Sequence, residues 1–455
     1  MPELAFQLTD ELLKRTQGRC PTCHAPCPAE VWRTGGLSSK VWLRRTCPQH
    51  GASETCLASD ARFYWLAKGR DGNDCGCGPG ACCSAQGTPV GVLGRNAEPG
   101  DALGVMEKLA TCLALIEIVD SCNLSCPTCY ANSPAGTGAQ VKAVPLADLQ
   151  RRIQGVVDRK GKIEILQLSG GEPTLHPQFF ELLRWLHAHD RIDCVLLNTN
   201  GVRIANDDAF ARELAGTFRY GRFQLYLQFD GPQLASQQAL RGADLRATRE
   251  RCLERCRDMK LPVTLAMTVT PDNLPHLWDA IEYGLRWPTV RGICFQPLFG
   301  SGRVPSSATG HLNAADVILA ATSQSAGQLK VGDFTPLPCG DPNCAVIGYL
   351  LKLGGQVRSV SDFIDFKNVQ GFLSTKVRYK LEDLMKCGCE SEPLGDLLKR
   401  FELDESHTFR LFIKPFMDDA TWDEDRIDRC CTHVIRPDGK LDSFCRYYSG
   451  FANCK

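Results

Sequence analysis

The stretch Cys122-Asn-Leu-Ser-Cys126-Pro-Thr-Cys129-Tyr130 decides the fold of this chain. Three cysteines at C-x3-C-x2-C spacing in one short loop offer an iron–sulfur cluster three thiolates and leave its fourth iron open. A zinc knuckle or a ferredoxin-type loop is the alternative, but neither explains the motifs farther along the chain. The spacing therefore predicts a 4Fe–4S cluster on Cys122, Cys126 and Cys129 whose last ligand comes from another molecule, with the aromatic Tyr130 beside it.

Composition narrows the class of protein. The chain has 455 residues, with 52 Lys+Arg against 52 Asp+Glu, so its formal net charge is zero and nothing favours binding to nucleic acid. Its 25 cysteines are unusually many. The first twenty residues lack the basic start and apolar core of a signal peptide, and no apolar run is long enough for a membrane span. We therefore expect a cytoplasmic protein whose cysteines bind metal rather than form disulfides.

Short apolar runs alternate with helix-like segments between about residues 112 and 300. The runs are Leu113–Val119, Ile163–Leu168, Cys194–Leu197, Phe223–Phe229, Val263–Val269 and Ile293–Phe295, and the clearest helical segments are Pro145–Val157, Gln178–His189 and Ala243–Met259. Strands that alternate with helices indicate βαβ units and a parallel sheet. The predicted fold class is α/β, with six such units that resemble the partial (β/α)6 barrel of a known enzyme superfamily.

Polar motifs follow the predicted strands at their carboxyl ends, where parallel α/β folds carry their chemistry. Gly170, Gly171 and Glu172 follow the second strand: the glycines allow close backbone approach, and the carboxylate can accept a hydrogen bond from an ammonium group. Three amides and one carboxylate end the third and fourth strands and suit contacts with a cofactor, although turn chemistry would also place them there. These are Asn198, Asn200, Gln228 and Asp230, and Gln296 and Arg303 are further candidates near the pocket.

The first 70 residues carry a second metal motif. Cys20-x2-Cys23 and Cys47-x2-His50 bracket two strand-like runs, the layout of a zinc ribbon or a rubredoxin-like site with four tetrahedral ligands. Cys27 could replace His50 as the fourth ligand. The pattern predicts a mononuclear site and leaves the choice between zinc and iron open.

Further cysteines gather on both sides of the predicted barrel. Cysteines drawn from distant segments are typical of an auxiliary iron–sulfur cluster, and two adjacent cysteines rarely both bind one cluster. The candidate ligands are Cys75, Cys77, Cys82 and Cys112 before the barrel, with Cys83 next to Cys82, and Cys339, Cys344, Cys430, Cys431 and Cys445 after it. Four others are predicted to be packing residues: Cys194, Cys252, Cys256 and Cys294.

The cysteine triad followed by an aromatic, together with the Gly-Gly-Glu turn one strand later, resembles the radical SAM superfamily. The resemblance implies that S-adenosylmethionine (SAM) is the missing cluster ligand and that Glu172 and its glycines hold the amino group of its methionine moiety. It also implies reductive cleavage of SAM to a 5′-deoxyadenosyl radical, which abstracts hydrogen from an unactivated carbon. A low-potential electron donor of the ferredoxin or flavodoxin type would be the redox partner.

Segments outside the barrel resemble a narrower group, the archaeal tetraether lipid synthases and their bacterial relatives, some of which were described as pterin methyltransferases. These segments are the ribbon ending CPQHG, FTPLPCGDPNC, and the stretch FIKPFMDD through DSFCRYY. The resemblance implies carbon–carbon bond formation on a lipid chain, one or two auxiliary 4Fe–4S clusters, and four regions: a metal module at 1–70, a cysteine-rich linker at 71–111, the barrel at 112–305 and an auxiliary-cluster region at 306–455.

Other interpretations stay open at this point. Peptide maturation and radical methylation of a pterin-like ring are the enzymatic alternatives. A non-enzymatic electron carrier or zinc-ribbon interaction module would explain the cysteines but would leave Gly170, Gly171 and Glu172 without a role. The substrate is a small molecule or a lipid, and approach to a membrane surface is undecided.

Overall fold

Two β-sheets organise the protein. The computed structural model describes residues 9–66, 111–305, 310–337, 340–353, 356–362 and 407–449. Its first sheet has four strands and its second has 12. The predicted ligands Cys75, Cys77, Cys82 and Cys339 lie outside the described residues, as does most of the 71–111 linker.

The N-terminal sheet is an antiparallel meander. Its strands are β1 (Glu11–Arg19), β2 (Pro26–Arg33), β3 (Val41–Cys47) and β4 (Gly51–Ala58), in that order. Val31, Val41 and Leu43 are fully buried between the sheet and the rest of the molecule. The sequence analysis predicted only two strands here, because the first strand, ELLKRTQGR, lacks the alternation of apolar and polar residues that marks a strand.

The large sheet is built around parallel strands. Its strands are β5 (Leu113–Val119), β6 (Ile163–Gly170), β7 (Ile192–Thr199), β8 (Phe223–Gln228), β9 (Val263–Val269), β10 (Val290–Pro297), β11 (Thr335–Pro336), β12 (Val346–Leu353), β13 (Gln356–Ser359), β14 (Thr408–Ile413), β15 (Thr432–Ile435) and β16 (Leu441–Ser443). The spatial order is β11-β12-β14-β10-β9-β8-β7-β6-β5-β15-β16, with β13 paired to β12. All six predicted strand runs are therefore confirmed as strands, with ends that differ by up to three residues.

Helices connect these strands and cover the sheet. They are α1 (Leu146–Lys160), α2 (Phe179–Ala188), α3 (Val202–Asn206), α4 (Asp208–Thr217), α5 (Leu234–Arg241), α6 (Arg246–Asp258), α7 (Leu277–Leu285), α8 (Ala314–Gln324), α9 (Glu424–Ile427) and α10 (Phe444–Tyr448). In α1 the fully buried residues Leu149, Ile153, Val156 and Val157 recur at helical spacing and form the face that packs on the core. Gly161, at φ 81°, ends that helix in a conformation that favours glycine.

The C-terminal segment completes the parallel sheet. Strand β14 pairs in parallel with β10, and β15 pairs in parallel with β5, so the consecutive parallel strands number eight rather than six. Residues 414–431 connect these two edge strands across the mouth of the barrel. The predicted boundary at residue 305 therefore does not separate two sheets. Alternation of strands and helices could not reveal this, because β14 and β15 pair with strands far away along the chain.

The N-terminal sheet docks on this connecting segment. Arg19 lies over the Trp422 ring, 3.4 Å from its centroid, and Arg45 donates to the backbone carbonyls of Asp419 and Ala420. Lys14 contacts Asp423 at 2.6 Å. Because Asp423 is fully buried and Lys14 is mostly buried, this ion pair is shielded from solvent. This docking connects the N-terminal sheet, which carries the predicted mononuclear metal site, to the segment that covers the barrel mouth.

Candidate functional site

A cavity of about 300 Å3 lies inside the parallel sheet. Inward-facing residues from all eight parallel strands line it, and the cysteine loop after β5 and the C-terminal segment cover one end. We call this cavity the chamber. Cys122, Cys126 and Cys129 all line it, as the sequence analysis predicted for a cluster at the carboxyl ends of the strands.

The cysteine loop is held at both ends by backbone hydrogen bonds. The Cys122 amide donates to the Pro134 carbonyl at 2.9 Å, and Cys129 and Arg303 exchange two bonds of 2.9 Å. The Arg303 Nε also donates to the Cys126 carbonyl at 3.1 Å. Arg303, predicted as a pocket residue, therefore fixes the loop rather than lining the chamber.

Burial changes the pKa of the Cys122 thiol, the first of the three cysteines in the loop. Desolvation, reinforced by the nearby Glu172 carboxylate, raises the pKa of Cys122 to about 12. A bound cation reverses that preference, because metal ligation stabilises the thiolate and releases the proton. The donor set of three thiolates facing one open space fits an iron–sulfur cluster with a free iron.

Gly170 and Gly171 permit a close approach, but the partner is the cysteine loop's own backbone. A Cβ on Gly170 would lie 2.1 Å from the Val119 carbonyl oxygen, and one on Gly171 would lie 2.0 Å from that of Ser121. The Gly171 amide donates to the Val119 carbonyl at 2.8 Å, and the Glu172 amide donates to the Ser121 carbonyl at 2.9 Å. The two glycines therefore lock this turn against the start of the loop.

Glu172 is almost completely buried, and both of its carboxylate oxygens accept hydrogen bonds. Oε1 accepts from the Thr174 amide, the Thr174 hydroxyl and the Thr199 hydroxyl, and Oε2 accepts from the Asn200 amide at 2.8 Å. Burial nevertheless raises the pKa of this carboxyl. Since Oε2 accepts a single bond, it retains a lone pair for a further donor on the chamber side.

The predicted amides Asn198 and Asn200 lie next to the cysteine loop. Asn200 Nδ2 is 3.8 Å from the Cys122 sulfur and 2.6 Å from Asn123 Oδ1. Asn198 Nδ2 donates to Ser169 at 3.2 Å and reaches the Tyr130 hydroxyl at 3.4 Å. Both amides line the chamber, so the structure places them where the sequence analysis expected cofactor contacts.

Asp230 differs from its predicted role, since the chamber lining includes Gln228 but not Asp230. Asp230 is fully buried and is paired with Arg241 through contacts of 2.5 and 3.0 Å. Arg241 lines the chamber and reaches the Thr128 carbonyl of the cysteine loop at 3.4 Å. Sequence reasoning missed Arg241, because no local motif links it to the cysteine triad.

A second group of cysteines lines the same chamber, from the C-terminal segment. These are Cys344, Cys430, Cys431 and Cys445. Their sulfurs already receive contacts from donors: the Met417 amide lies 3.3 Å from Cys445, and Arg426 lies 3.7 Å from Cys344. Burial raises the pKa of Cys445 to about 11. The structure brings both Cys430 and Cys431 to the chamber and does not single out one as a bystander.

Cys112 also lines the chamber, and its sulfur takes part in a disulfide. The metal ligand is a thiolate, so Cys112 could serve as the predicted ligand only after reduction.

The N-terminal motif forms a compact ligand set. The ligand atoms of Cys20, Cys23, Cys47 and His50 all lie within 4.8 Å of one another, and the sulfurs of Cys23 and Cys47 are 3.8 Å apart. A tetrahedral centre with metal–sulfur bonds of about 2.3 Å requires nearly this spacing. His50 Nδ1 is 3.6 Å from the sulfurs of both Cys20 and Cys47. Cys27 is buried nearby but does not belong to the set, so His50 is the fourth ligand candidate.

The predicted packing cysteines fall into two groups. Cys252 and Cys256 of α6 are fully buried in the main hydrophobic core. Cys194 and Cys294 are also buried, but they line the chamber from β7 and β10. Burial is thus confirmed for all four.

Two family models match this chain. The radical SAM superfamily model covers residues 116–284, and a model described as the HMPTM N-terminal zinc ribbon domain covers residues 12–59. The first range contains the cysteine loop and the Gly-Gly-Glu turn, and the second contains the four ligands of the N-terminal site. Residues 116–284 therefore form a radical SAM domain, and residues 12–59 match the zinc ribbon domain. The narrower resemblance to tetraether lipid synthases stays a prediction.

Several relatives are similar to this chain. A 7,8-dihydro-6-hydroxymethylpterin dimethyltransferase of Methanocaldococcus jannaschii is 25% identical over 95% of this chain and 93% of its own length. The mycofactocin maturase MftC of Mycobacterium ulcerans is 30% identical, over 36% of this chain and 41% of its own. Among solved structures, Streptococcus suis SuiB bound to S-adenosylmethionine matches with a TM-score of 0.35 and 14% identity, over 45% of this chain and 44% of its own.

Within the part of the chain that the structure describes, no helix combines the length and the apolar character needed to cross a bilayer.

Proposed function

We propose that the protein cleaves SAM reductively at Cys122, Cys126 and Cys129 and that the resulting radical removes a hydrogen atom from a carbon of a compact substrate in the chamber. The observation that carries the proposal is the shared chamber, which is lined by the cysteine triad at one side and by the C-terminal cysteines at another. When bound, the cluster and SAM supply a 5′-deoxyadenosyl radical. The chain's own residues orient the substrate and exclude water.

The C-terminal cysteines fit an auxiliary iron–sulfur centre. Cys344, Cys445 and one or both of Cys430 and Cys431 would hold it, with Cys339 as a further candidate. Two hydrogen donors already face these sulfurs, and such donors are among the features that set the reduction potential of a cluster. Each reductive cleavage of SAM consumes one electron, which a second centre in the same chamber could relay from an electron donor.

The lining of the chamber favours a pterin-like ring over a lipid chain. Gln167 and Gln296 line it, and neither side chain has a hydrogen-bond partner among the described residues. An alkyl chain would leave these amides unpaired at a cost of about 1–3 kcal/mol each, whereas a heterocycle could bond to them.

Lipid carbon–carbon coupling remains the second candidate. Phe299, Phe416 and Phe444 form a contiguous aromatic wall of the chamber, with ring centroids 4.1 to 6.2 Å apart. A wall of this kind can accept a hydrocarbon chain. The aromatic wall and the amides lie in one cavity, so the experiment must compare a lipid substrate with a pterin-like substrate.

The experiment is anaerobic reconstitution with iron and sulfide, followed by SAM and a chemical reductant, with quantification of 5′-deoxyadenosine and methionine. Cys126→Ala should abolish both products, while Cys252→Ala, which alters a packing cysteine, should not. Addition of 7,8-dihydro-6-hydroxymethylpterin should increase 5′-deoxyadenosine more than a membrane lipid extract does, and deuterium from the labelled pterin should appear in it. Absence of 5′-deoxyadenosine from the fully loaded protein with either addition would favour the electron-carrier interpretation.

A further inference from the structure

Arg410 is a positive charge in the chamber that no acidic side chain among the described residues neutralises. It lies on β14, lines the chamber and is only partly exposed. Among the described residues, its guanidinium has neither an ion-pair partner nor a hydrogen-bond acceptor. Charged groups at such positions are ordinarily paired, because removing an unpaired charge from water is costly. The guanidinium is therefore available to a ligand.

The other charged groups that line the chamber already have partners. Glu172 accepts four hydrogen bonds, Arg241 pairs with Asp230, and Asp341 contacts Arg429 at 2.9 Å. Lys414 donates to Thr432 at 2.9 Å, and its charge acts on the thiols of Cys294 and Cys445. Lys414 can thus offset the negative charge of a cluster at the C-terminal cysteines. The charge of Arg410 acts instead on the phenol of Tyr349.

A glycine keeps the space beside Arg410 open. Gly292 of β10 lies opposite Arg410 in the parallel register, and a Cβ on Gly292 would be 2.7 Å from the Arg410 Cβ. Any larger residue at position 292 would therefore force the two strands apart or displace the arginine. The next strand places Thr264 opposite Gly292.

Neutral hydrogen-bonding side chains line the chamber near Arg410. Gln224 donates to Thr264 at 2.5 Å, and both residues line the chamber. Arg410 precedes Lys414 by four residues, which corresponds to about 13 Å along an extended strand. Arg410 is thus nearer the amino-terminal ends of the strands, on the far side of the chamber from the cysteine loop that follows β5.

We propose that Arg410, with Thr264 and Gln224, forms an anion-binding subsite for a carboxylate or phosphate group of the substrate. The guanidinium supplies paired N–H donors that match the planar geometry of a carboxylate or the oxygens of a phosphate. An anion held there would orient the substrate with its charged end deep in the chamber and its reacting carbon toward the cysteine loop. The inference depends on the proposal that the chamber is the substrate site.

The test measures binding without turnover, so it does not depend on whether SAM is cleaved. Benzoate and phenyl phosphate are titrated anaerobically into the reconstituted protein by calorimetry, with neutral benzyl alcohol as the comparison ligand. At least one anion should bind, and Arg410→Gln should raise its dissociation constant at least tenfold, while benzyl alcohol is affected much less. Arg191→Gln, which changes an exposed arginine, should leave anion affinity unchanged.

Arg410→Lys keeps the charge but not the paired donors, so its affinity should fall between those of the parent and Arg410→Gln. It also provides a readout if the glutamine variant fails to fold. Absence of anion binding by the parent, or equal affinities in the parent and in a folded Arg410 variant, would overturn the subsite. If the subsite binds anions but no 5′-deoxyadenosine forms, the proposed reaction fails while the binding site stands.

Discussion

The Lys414 ammonium donates a 2.9 Å hydrogen bond to the Thr432 hydroxyl, and this contact joins the end of one edge strand of the parallel sheet to the start of the other. Lys414 directly follows β14, which pairs with β10, and Thr432 begins β15, which pairs with β5. The bond therefore bridges the gap that the six strands of residues 112–300 leave open, and it lies on the chamber wall.

The bridge should contribute measurably to stability. Thr432→Val removes the acceptor and leaves a partly buried ammonium without it, which should cost about 1–3 kcal/mol. Lys414→Met and the double variant complete a double-mutant cycle, which measures the interaction energy between the two side chains. We expect a coupling energy of about 1 kcal/mol from denaturant unfolding under anaerobic conditions. Additive effects of the two substitutions would show that the bridge has no energetic role.

Gly171→Ala should prevent correct assembly of the SAM cluster site. The new Cβ would lie 2.0 Å from the Ser121 carbonyl oxygen, so the turn and the cysteine loop must separate. Iron and sulfide contents after reconstitution should fall by roughly the share of one 4Fe–4S cluster. Gly216→Ala in α4 is the matched control, because nothing lies within 4 Å of its new methyl group. Equal iron contents in the two variants would contradict this prediction.

The buried pair of Asp230 and Arg241 should matter far more than a similar pair on the surface. Asp230→Asn leaves Arg241 buried without its counter-charge, which should cost about 3–5 kcal/mol. Asp244→Asn breaks the exposed pair with Arg246 and should cost far less, because solvent screens that pair. Unfolding in denaturant compares the two variants directly. Similar losses would mean that Arg241 finds another partner.

Loss of the N-terminal metal should loosen the segment over the barrel mouth. Cys20→Ser removes one ligand of the ribbon site, and the ribbon holds residues 419–423 through Arg45, Arg19 and Lys14. Hydrogen exchange should therefore accelerate in residues 417–426 as well as in the ribbon. Cys56→Ser, a change in the same sheet at a position outside the ligand set, is the control. Faster exchange confined to the ribbon would show that the docking does not depend on the metal.

Asp428 should make stability depend on pH near 6. Burial, with repulsion from Glu424, raises its pKa from 3.8 to about 6. Folding therefore favours the protonated acid, so the contribution of this group is most favourable at low pH and is lost as the pH rises through 6. Asp428→Asn should stabilise the protein at pH 8 and progressively less as the pH falls to 5. A pH-independent difference in unfolding free energy would refute the assignment.

Some features of the site were predictable because their signals are local. The spacing of Cys122, Cys126 and Cys129 identifies a cluster loop without any knowledge of the fold, and the x2-spaced pairs ending at Cys23 and His50 identify the ribbon site in the same way. The six strand runs from Leu113 onward were predictable because buried parallel strands are short apolar runs separated by helices. These signals depend only on residues that are close in sequence.

Other features depend on contacts between distant parts of the chain. From the sequence, the carboxylate of Asp230 was a candidate for contact with a cofactor. Only the folded structure shows that it forms an ion pair with Arg241. Gly170 and Gly171 looked like ligand-binding glycines, and the structure shows that they fit against the backbone at Val119 and Ser121. In both cases the residue type was informative, but its partner could not be read from neighbouring positions.

The sequence by itself predicted the candidate metal ligands of the ribbon and of the cysteine loop, and it determined the parallel α/β class. The tertiary structure decided that β14 and β15 complete the sheet, that the C-terminal cysteines face the chamber, and that Arg410 has no acidic partner among the described residues. The physical reason is that ligand spacing and strand periodicity are properties of short segments. Chamber shape and charge pairing arise only when strands separated by hundreds of residues pack together.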